Sequence, residues 1–426
     1  MDRNGLSTQL LDTTKPISPA VNQMRVLHLL RTRGSLSRAD IARSTNLTKA
    51  TASRIISELM SRNLVREVGM GTLRRGRRPI LYVFNTASAI ALGIEVHQKE
   101  CQAVVTELDA TPLRSYAVPL PDTRVTTLLD ALEGLVATVR REFGQDLVGI
   151  GLGIPGIYDY QRETVVLAEH LEWTHVELAK MIRERLNLNV YVVNRANAAA
   201  LGEKWYGAGR GCDDLVFINI GSGIKAGLIV GGSLFSGTNG AAGEIGHMTI
   251  ALDGPPCVCG KRGCLESLAS TRAIVERVKI LARAGKALGS GGFPSPSIDA
   301  LTRQDVLAAA EAGDPAVLEV LREAGNYIGI AVGNLINVFN PKRVILGGLA
   351  SQAPAIFLEA IKRAAELHAF AIPWQAADIV VAELGRDAVD IGAAALLLSV
   401  YLQPSSSPMS VALSEFLQPG RPRATA

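Results

Sequence analysis

The 426-residue chain has no uninterrupted run of 18 apolar residues, which excludes a hydrophobic helix long enough to cross a bilayer. Its opening, Met1-Asp2-Arg3-Asn4-Gly5, lacks the pattern of a secretory signal. Cysteine is scarce, with five in all. That excludes a disulfide-built scaffold and points to a reducing compartment, the cytoplasm. Net charge is only +4, but it is unevenly spread. Residues 1–85 hold 15 Lys/Arg against 5 Asp/Glu, and residues 86–426 hold 29 against 35. A basic head on a mildly acidic body implies that the head meets a polyanion. The length calls for two or three domains, and the 48% hydrophobic content is enough for their cores.

The cysteine that is present is concentrated. Cys257, Cys259 and Cys264 fall within eight residues, and His247 stands ten residues earlier. Three thiolates and an imidazole suit tetrahedral Zn2+. Gly260 and Gly263 let the loop turn tightly enough for the sulfurs to converge. No general base interrupts the set, so the metal reads as structural. A strained disulfide with a spare thiol, or buried free cysteines, are the alternatives. Glu244 and Glu266 flank the ligands.

The head reads as three helices and two strands. An apolar face from Val21 to Leu30 predicts a helix from Pro19 to Gly34. Ser37 caps a second helix with Ala39, Ile41 and Ala42 inside. Asn46-Leu47 is the turn, and Thr48 caps a third helix, Lys49 to Met60. That is a helix-turn-helix layout. Thr48, Lys49, Thr51, Ser53 and Arg54 lie at the start or on the outward face of the third helix, suited to a DNA major groove. Leu64–Gly69 and Ile80–Phe84 predict a two-stranded wing. Arg74, Arg75, Arg77 and Arg78 at its tip suit a narrow minor groove. A solvated bundle face and an unfolded basic linker are the plainer alternatives.

The body alternates strands and helices, so an α/β sheet is expected. A hairpin around His97-Gln98-Lys99-Glu100, a helix from Val125 to Phe143 and strands at 147–154 and 190–193 form one set. Trp173–Leu186 is expected as a helix. A second hairpin near Gly221-Ser222-Gly223 begins a similar set. Two related lobes with a cleft between them follow. The expected divisions are a flexible lead at 1–17, the winged helix at 18–85, one lobe at 86–200 with a closing helix at 387–402, and the second at 201–386. Residues 289–297 read as a surface loop and 403–426 as a disordered tail.

The chain resembles the ROK family of repressors and sugar kinases. The resemblance rests on Gly243-Glu244-Ile245-Gly246-His247, on Cys257-x-Cys259-Gly260-x-x-Gly263-Cys264-x-Glu266 and on Asn197 to Glu203 and Asn334 to Pro341. It implies an actin-like, ribonuclease H-like ATPase fold, a homodimer or dimer of dimers, and a sugar in the cleft. By resemblance, Glu244, His247 and Glu266 hold sugar hydroxyls. His170 and Asn194-Arg195 stand where the kinases place sugar-contacting residues and their catalytic aspartate. Arginine cannot act as that base. The kinases' Asp-x-Gly-Gly-Thr phosphate loop is replaced by Glu95-Val96-His97-Gln98-Lys99.

These readings point to a non-enzymatic DNA-binding regulator, a repressor of carbohydrate-metabolism genes. Ligand closing the lobes would respace two heads on an operator. Arg195 suits a sugar phosphate or acidic sugar; a neutral sugar, an unusual ligand, a protein effector, or no ligand with Arg195 simply paired to a neighbouring acid, stay open. A sugar kinase with an added DNA head and a constitutive DNA-bound protein are the competing functions.

Overall fold

The computed structural model describes residues 19–70, 78–144, 146–286 and 297–402. The expected lead, the tail, most of the 289–297 loop and Arg74, Arg75 and Arg77 of the wing lie outside the described residues.

The head follows local signals closely. Helix α1 (Pro19–Arg33) stops before Gly34, which has φ 73. Strand β1 (Leu36–Ser37) leads into α2 (Arg38–Thr45), where Ser37 and Asp40 form a capping box. Asn46 ends α2 in the left-handed conformation, and Thr48 caps α3 (Lys49–Ser61). Strands β2 (Val65–Met70) and β3 (Ile80–Phe84) form the wing. Two expectations need correction. The wing sheet is three-stranded, in the order β1-β3-β2, because Leu36 and Ser37 pair with Tyr82 and Leu81. Ala39 is exposed, while Ile41, Ala42 and Thr45 face the core.

The first lobe contains β4 (Ile90–Val96), β5 (Glu100–Glu107), β6 (Pro112–Pro119), α4 (Val125–Phe143) and β7 (Leu147–Ile154). It continues with β8 (Ile157–Asp159), β9 (Thr164–Ala168), β10 (Trp173–Val176), α5 (Leu178–Leu186), β11 (Val190–Asn194) and α6 (Arg195–Tyr206). The expected helix over Trp173–Leu186 is thus a strand followed by a helix. Trp173 and Thr174 pair with Ala168 and Leu167, and positive φ at Glu172 and His175 breaks any helix there.

The second lobe contains β12 (Leu215–Ile220), β13 (Ile224–Val230), β14 (Ser233–Leu234), α7 (Leu265–Ala269), α8 (Thr271–Arg283) and α9 (Arg303–Glu311). Then come α10 (Pro315–Phe339), β15 (Arg343–Gly348), α11 (Ala355–His368), α12 (Ala371–Ala376), β16 (Asp378–Val381) and α13 (Ala388–Tyr401).

The two large sheets repeat one plan. The first runs β6-β5-β4-β7-β11 and the second β14-β13-β12-β15-β16. Each has an antiparallel meander of three strands and two further parallel strands. The body is a two-lobed α/β structure, as expected. Helix α13 crosses back to pack on β4 and β7 and against α6. One continuous apolar core joins Val26, Leu30, Ile41 and Ile55 of the head to Ala198, Leu201, Leu396 and Leu398 of α6 and α13. The head is therefore seated on those two helices.

Candidate metal centre, inter-lobe site and nucleic-acid interface

The ends of β4, β7, β11 and β13 meet between the lobes. Asn194 ends β11 and caps α6: its Oδ1 accepts from Ala196 N at 2.9 Å, and its Nδ2 donates to the Gly156 carbonyl. Lys225, on β13 of the other lobe, also donates to the Gly156 carbonyl, at 3.3 Å, and pairs with Glu244 at 2.5 Å. Gly156 therefore ties the two lobes through one oxygen.

Beside it, Arg195 Nε lies 2.5 Å from Glu95 Oε1 at the end of β4. His97 Nε2 lies 3.4 Å from the same oxygen. Burial alone would raise the Glu95 pKa. The His97 contact and the Arg195 charge outweigh it and hold the carboxyl below its ordinary value. Asp390, in the first turn of α13, is 3% exposed, and its Oδ1 has no hydrogen-bond partner. Burial, and then the Glu95 charge, push it up to about 8. At neutral pH Glu95 is charged and bound to Arg195, and Asp390 is mostly protonated.

Glu266 lies 12% exposed over the Gly221–Gly223 turn. Its Oε2 accepts from Ile224 N at 3.3 Å, and its Oε1 lies 3.6 Å from Arg272. A Cβ on Gly223 would come within 2.7 Å of Glu266 Oε2, so this glycine makes room for the carboxylate. Gly347 is accounted for by packing, since a Cβ there would strike the Phe217 ring. His170 is exposed, and its carbonyl accepts from Gln98 Nε2 at 2.7 Å beside the first hairpin.

The four proposed metal ligands do converge. Their ligand atoms all lie within 4.8 Å of one another. Cys259 Sγ to Cys264 Sγ and Cys257 Sγ to His247 Nδ1 are each 3.7 Å. That is about the edge of a tetrahedron with ~2.3 Å metal–sulfur bonds. The loop is held by Cys257 N to Lys261 O at 2.8 Å and Leu265 N to Met248 O at 2.9 Å. Gly263 has φ 66, and a Cβ there would overlap the Ala251 carbonyl at 1.6 Å. The cluster can hold a metal ion.

On the head, Thr48, Lys49, Arg54 and Arg78 are exposed, and Thr51 and Ser53 are half-buried. Thr48 Oγ1 accepts from Thr51 N at 3.1 Å and lies 2.8 Å from Thr51 Oγ1. Arg54 pairs with Glu58 at 2.5 Å, one turn along the same helix. The Lys49 side chain makes no hydrogen bond or ion pair among the described residues.

The ROK family model matches residues 91–400, and a MarR family model matches residues 16–74. The chain belongs to the ROK family. Its second match lies on the winged-helix-like head. The xylose repressor of Caldicellulosiruptor bescii is 33% identical over 386 residues, covering 90% of this chain and 96% of that protein. The crystal structure of a ROK family transcriptional regulator, homologous to the E. coli MLC protein, matches with a TM-score of 0.80 at 25% identity, covering 94% of this chain and 99% of its own. A ROK family glucokinase from Streptomyces griseus, solved with glucose and AMPPNP, matches with a TM-score of 0.63 at 32% identity. It covers 72% of this chain and 99% of its own length, so this ROK chain carries a segment that the glucokinase lacks.

Sequence reasoning missed Lys225, Glu203 and Asp390. Lys225 is a lone charge in an apolar strand, and Glu203 and Asp390 sit at the charged ends of Ala-rich helical runs, which was the available signal. Glu203 is fully buried and accepts from Ala208, Glu383 and Leu384 backbone N–H groups, fastening the end of α6 to the segment before α13.

Proposed function

We propose that this ROK protein is a DNA-binding transcriptional repressor of carbohydrate-metabolism genes, released by a neutral sugar bound between its lobes. The carrying observation is the Glu95–Arg195 ion pair. The two positions where the family's kinases would hold phosphate and a base neutralise each other, and a protonated guanidinium cannot take a proton from a sugar hydroxyl.

Charge at the site favours a neutral ligand. Glu95 pairs with Arg195, Glu244 with Lys225 and Glu266 with Arg272. A phosphate would have to break one of these pairs, whereas hydroxyls can add hydrogen bonds to paired carboxylates. Glu244, Glu266 and His247 supply those bonds, with His170, Asn194 and Arg195 on the facing wall. The metal is a structural Zn2+ held by His247 Nδ1, Cys257, Cys259 and Cys264, which leaves His247 Nε2 for the sugar.

Residues 18–85 form the winged helix, 86–200 with 387–402 the first lobe, and 201–386 the second, in an actin-like body. The repeated sheet plan supports that assignment. Thr48, Lys49, Thr51, Ser53 and Arg54 face the major groove, and Arg74, Arg75, Arg77 and Arg78 the minor groove. The active form is a cytoplasmic homodimer or dimer of dimers on a two-half-site operator. Among the described residues, no helix is long and apolar enough to cross a membrane.

The test is a mobility shift with DNA from upstream of the protein's own gene, at fixed salt, against neutral and phosphorylated sugars. A neutral sugar should weaken binding about tenfold. Release by phosphorylated sugars alone would overturn the neutral ligand. Absence of sequence-specific DNA binding would overturn the regulator.

A further inference from the structure

Helices α6 and α13 each have one end at the inter-lobe site and the other under the DNA-binding head. Helix α6 begins with Arg195, paired to Glu95, and ends at Trp205 and Tyr206. Helix α13 carries Asp390 in its first turn and Leu398 in its last. With 12 and 14 residues they are rods of about 18 and 21 Å. Arg62 of the head donates to the Tyr401 carbonyl at the far end of α13, at 3.2 Å.

The two rods touch backbone to backbone. A Cβ on Gly392 would fall 1.8 Å from the Ala198 carbonyl, and one on Gly202 would fall 2.4 Å from the Ala388 carbonyl. Contact this close leaves no soft side-chain layer to absorb movement, so a displacement of one helix moves the other. The far ends are different. Between α1 and the ends of α6 and α13 lies a cavity of about 210 Å³, lined by Leu27, Phe84, Trp205, Tyr206, Ala395 and Leu398 among others. It gives the head room to reseat.

We propose that α6 and α13 act as a paired lever that carries the state of the Glu95–Arg195 site to the DNA-binding head within a single chain. This rests on the regulator reading above and adds the route of its regulation. Loosening the ion pair frees the start of α6. The glycine crossing passes the shift to α13, and both far ends slide under α1. A shift of about 1–2 Å is the scale at which packed helices switch. The head is then turned on its seat without any change in its own fold.

The first measurement needs no sugar. Glu95→Gln in the full-length protein loosens the pair at the site, far along both helices from the head. Operator affinity, measured by fluorescence anisotropy, should change at least about fivefold. Adding Ala395→Leu, which fills the cavity, should reduce that change to under about twofold. Arg62→Ala is the second probe, on the surface side of the joint, and should also reduce it. Thermal melts check that each variant is folded. An unchanged affinity in folded Glu95→Gln would overturn the lever, as would a full response persisting in both added variants. A wild-type complex that ignores every sugar, while Glu95→Gln still shifts affinity, would overturn the sugar reading and support the lever.

Discussion

The two walls of the inter-lobe site differ in what they retain. On the second-lobe wall, Glu244, His247 and Glu266 stand around a convergent metal cluster, with carboxylates still partly open. On the first-lobe wall, Glu95 is 6% exposed and closed off by Arg195, with a protonated Asp390 behind it. Both walls pair their carboxylates with cations, but the Glu95 carboxylate is shut in at 6% exposure whereas that of Glu244 is 32% exposed. On the proposed reading, binding and phosphoryl transfer are separable on one scaffold, because the groups assigned to sugar recognition and those that would activate it come from different lobes.

The largest way to break this contrast is at the metal. Cys259→Ser should empty the centre of zinc, read by elemental analysis, and weaken sugar binding by more than about tenfold, because the loop that carries His247 and leads into Glu266 loses its anchor. Next is Arg195→Ala, which strands Glu95 in the interior. It should cost about 3 kcal/mol in denaturant unfolding. Asp390 gives a smaller, pH-dependent effect. Its folded pKa of about 8 lies above its ordinary 3.8, so the folded chain holds a proton that the unfolded chain releases. Stability from this group is complete at low pH and is lost as pH climbs from about 4 towards 8. Glu95, Asp387, Arg195 and Cys101 are the charged or titratable groups that face it. Asp390→Asn should flatten that slope and stabilise the chain at pH 8, read by denaturant unfolding at pH 5 and pH 8. Glu244→Gln should then weaken sugar about tenfold in calorimetry while leaving the metal in place. The smallest effect belongs to the head. Arg54→Ala should weaken operator binding several-fold and leave sugar affinity unchanged.

The readable part of the fold was the part written locally. Caps at Ser37 and Thr48, and stops at Gly34 and Asn46, placed the head's helices to within a residue or two. Hydrophobic runs placed most strands of both sheets, and the Cys and His spacing found the cluster that can hold a metal ion. What stayed hidden depends on distant partners. Strand β1 has two residues and exists only because β3 is there to pair with it. Strand β10 exists for the same reason, beside β9. The Arg195–Glu95 pair joins residues a hundred positions apart, so the sequence left Arg195 open as an anion receptor or as the partner of some acid, and could not name Glu95 as that acid. Lys225 passed unnoticed in an apolar strand, although it ties one lobe to the other through the Gly156 carbonyl.

The most direct measurement follows operator DNA and sugar chemistry in one tube. Full-length protein, labelled operator, Mg2+ and ATP are mixed with D-xylose or D-glucose. DNA anisotropy and sugar phosphate are recorded together. A catalytic wall closed by the Glu95–Arg195 pair predicts that a neutral sugar releases the DNA while no sugar phosphate accumulates. Accumulation of sugar phosphate at an enzymatic rate would contradict it, because Glu95 and Arg195 would then not have closed the catalytic wall.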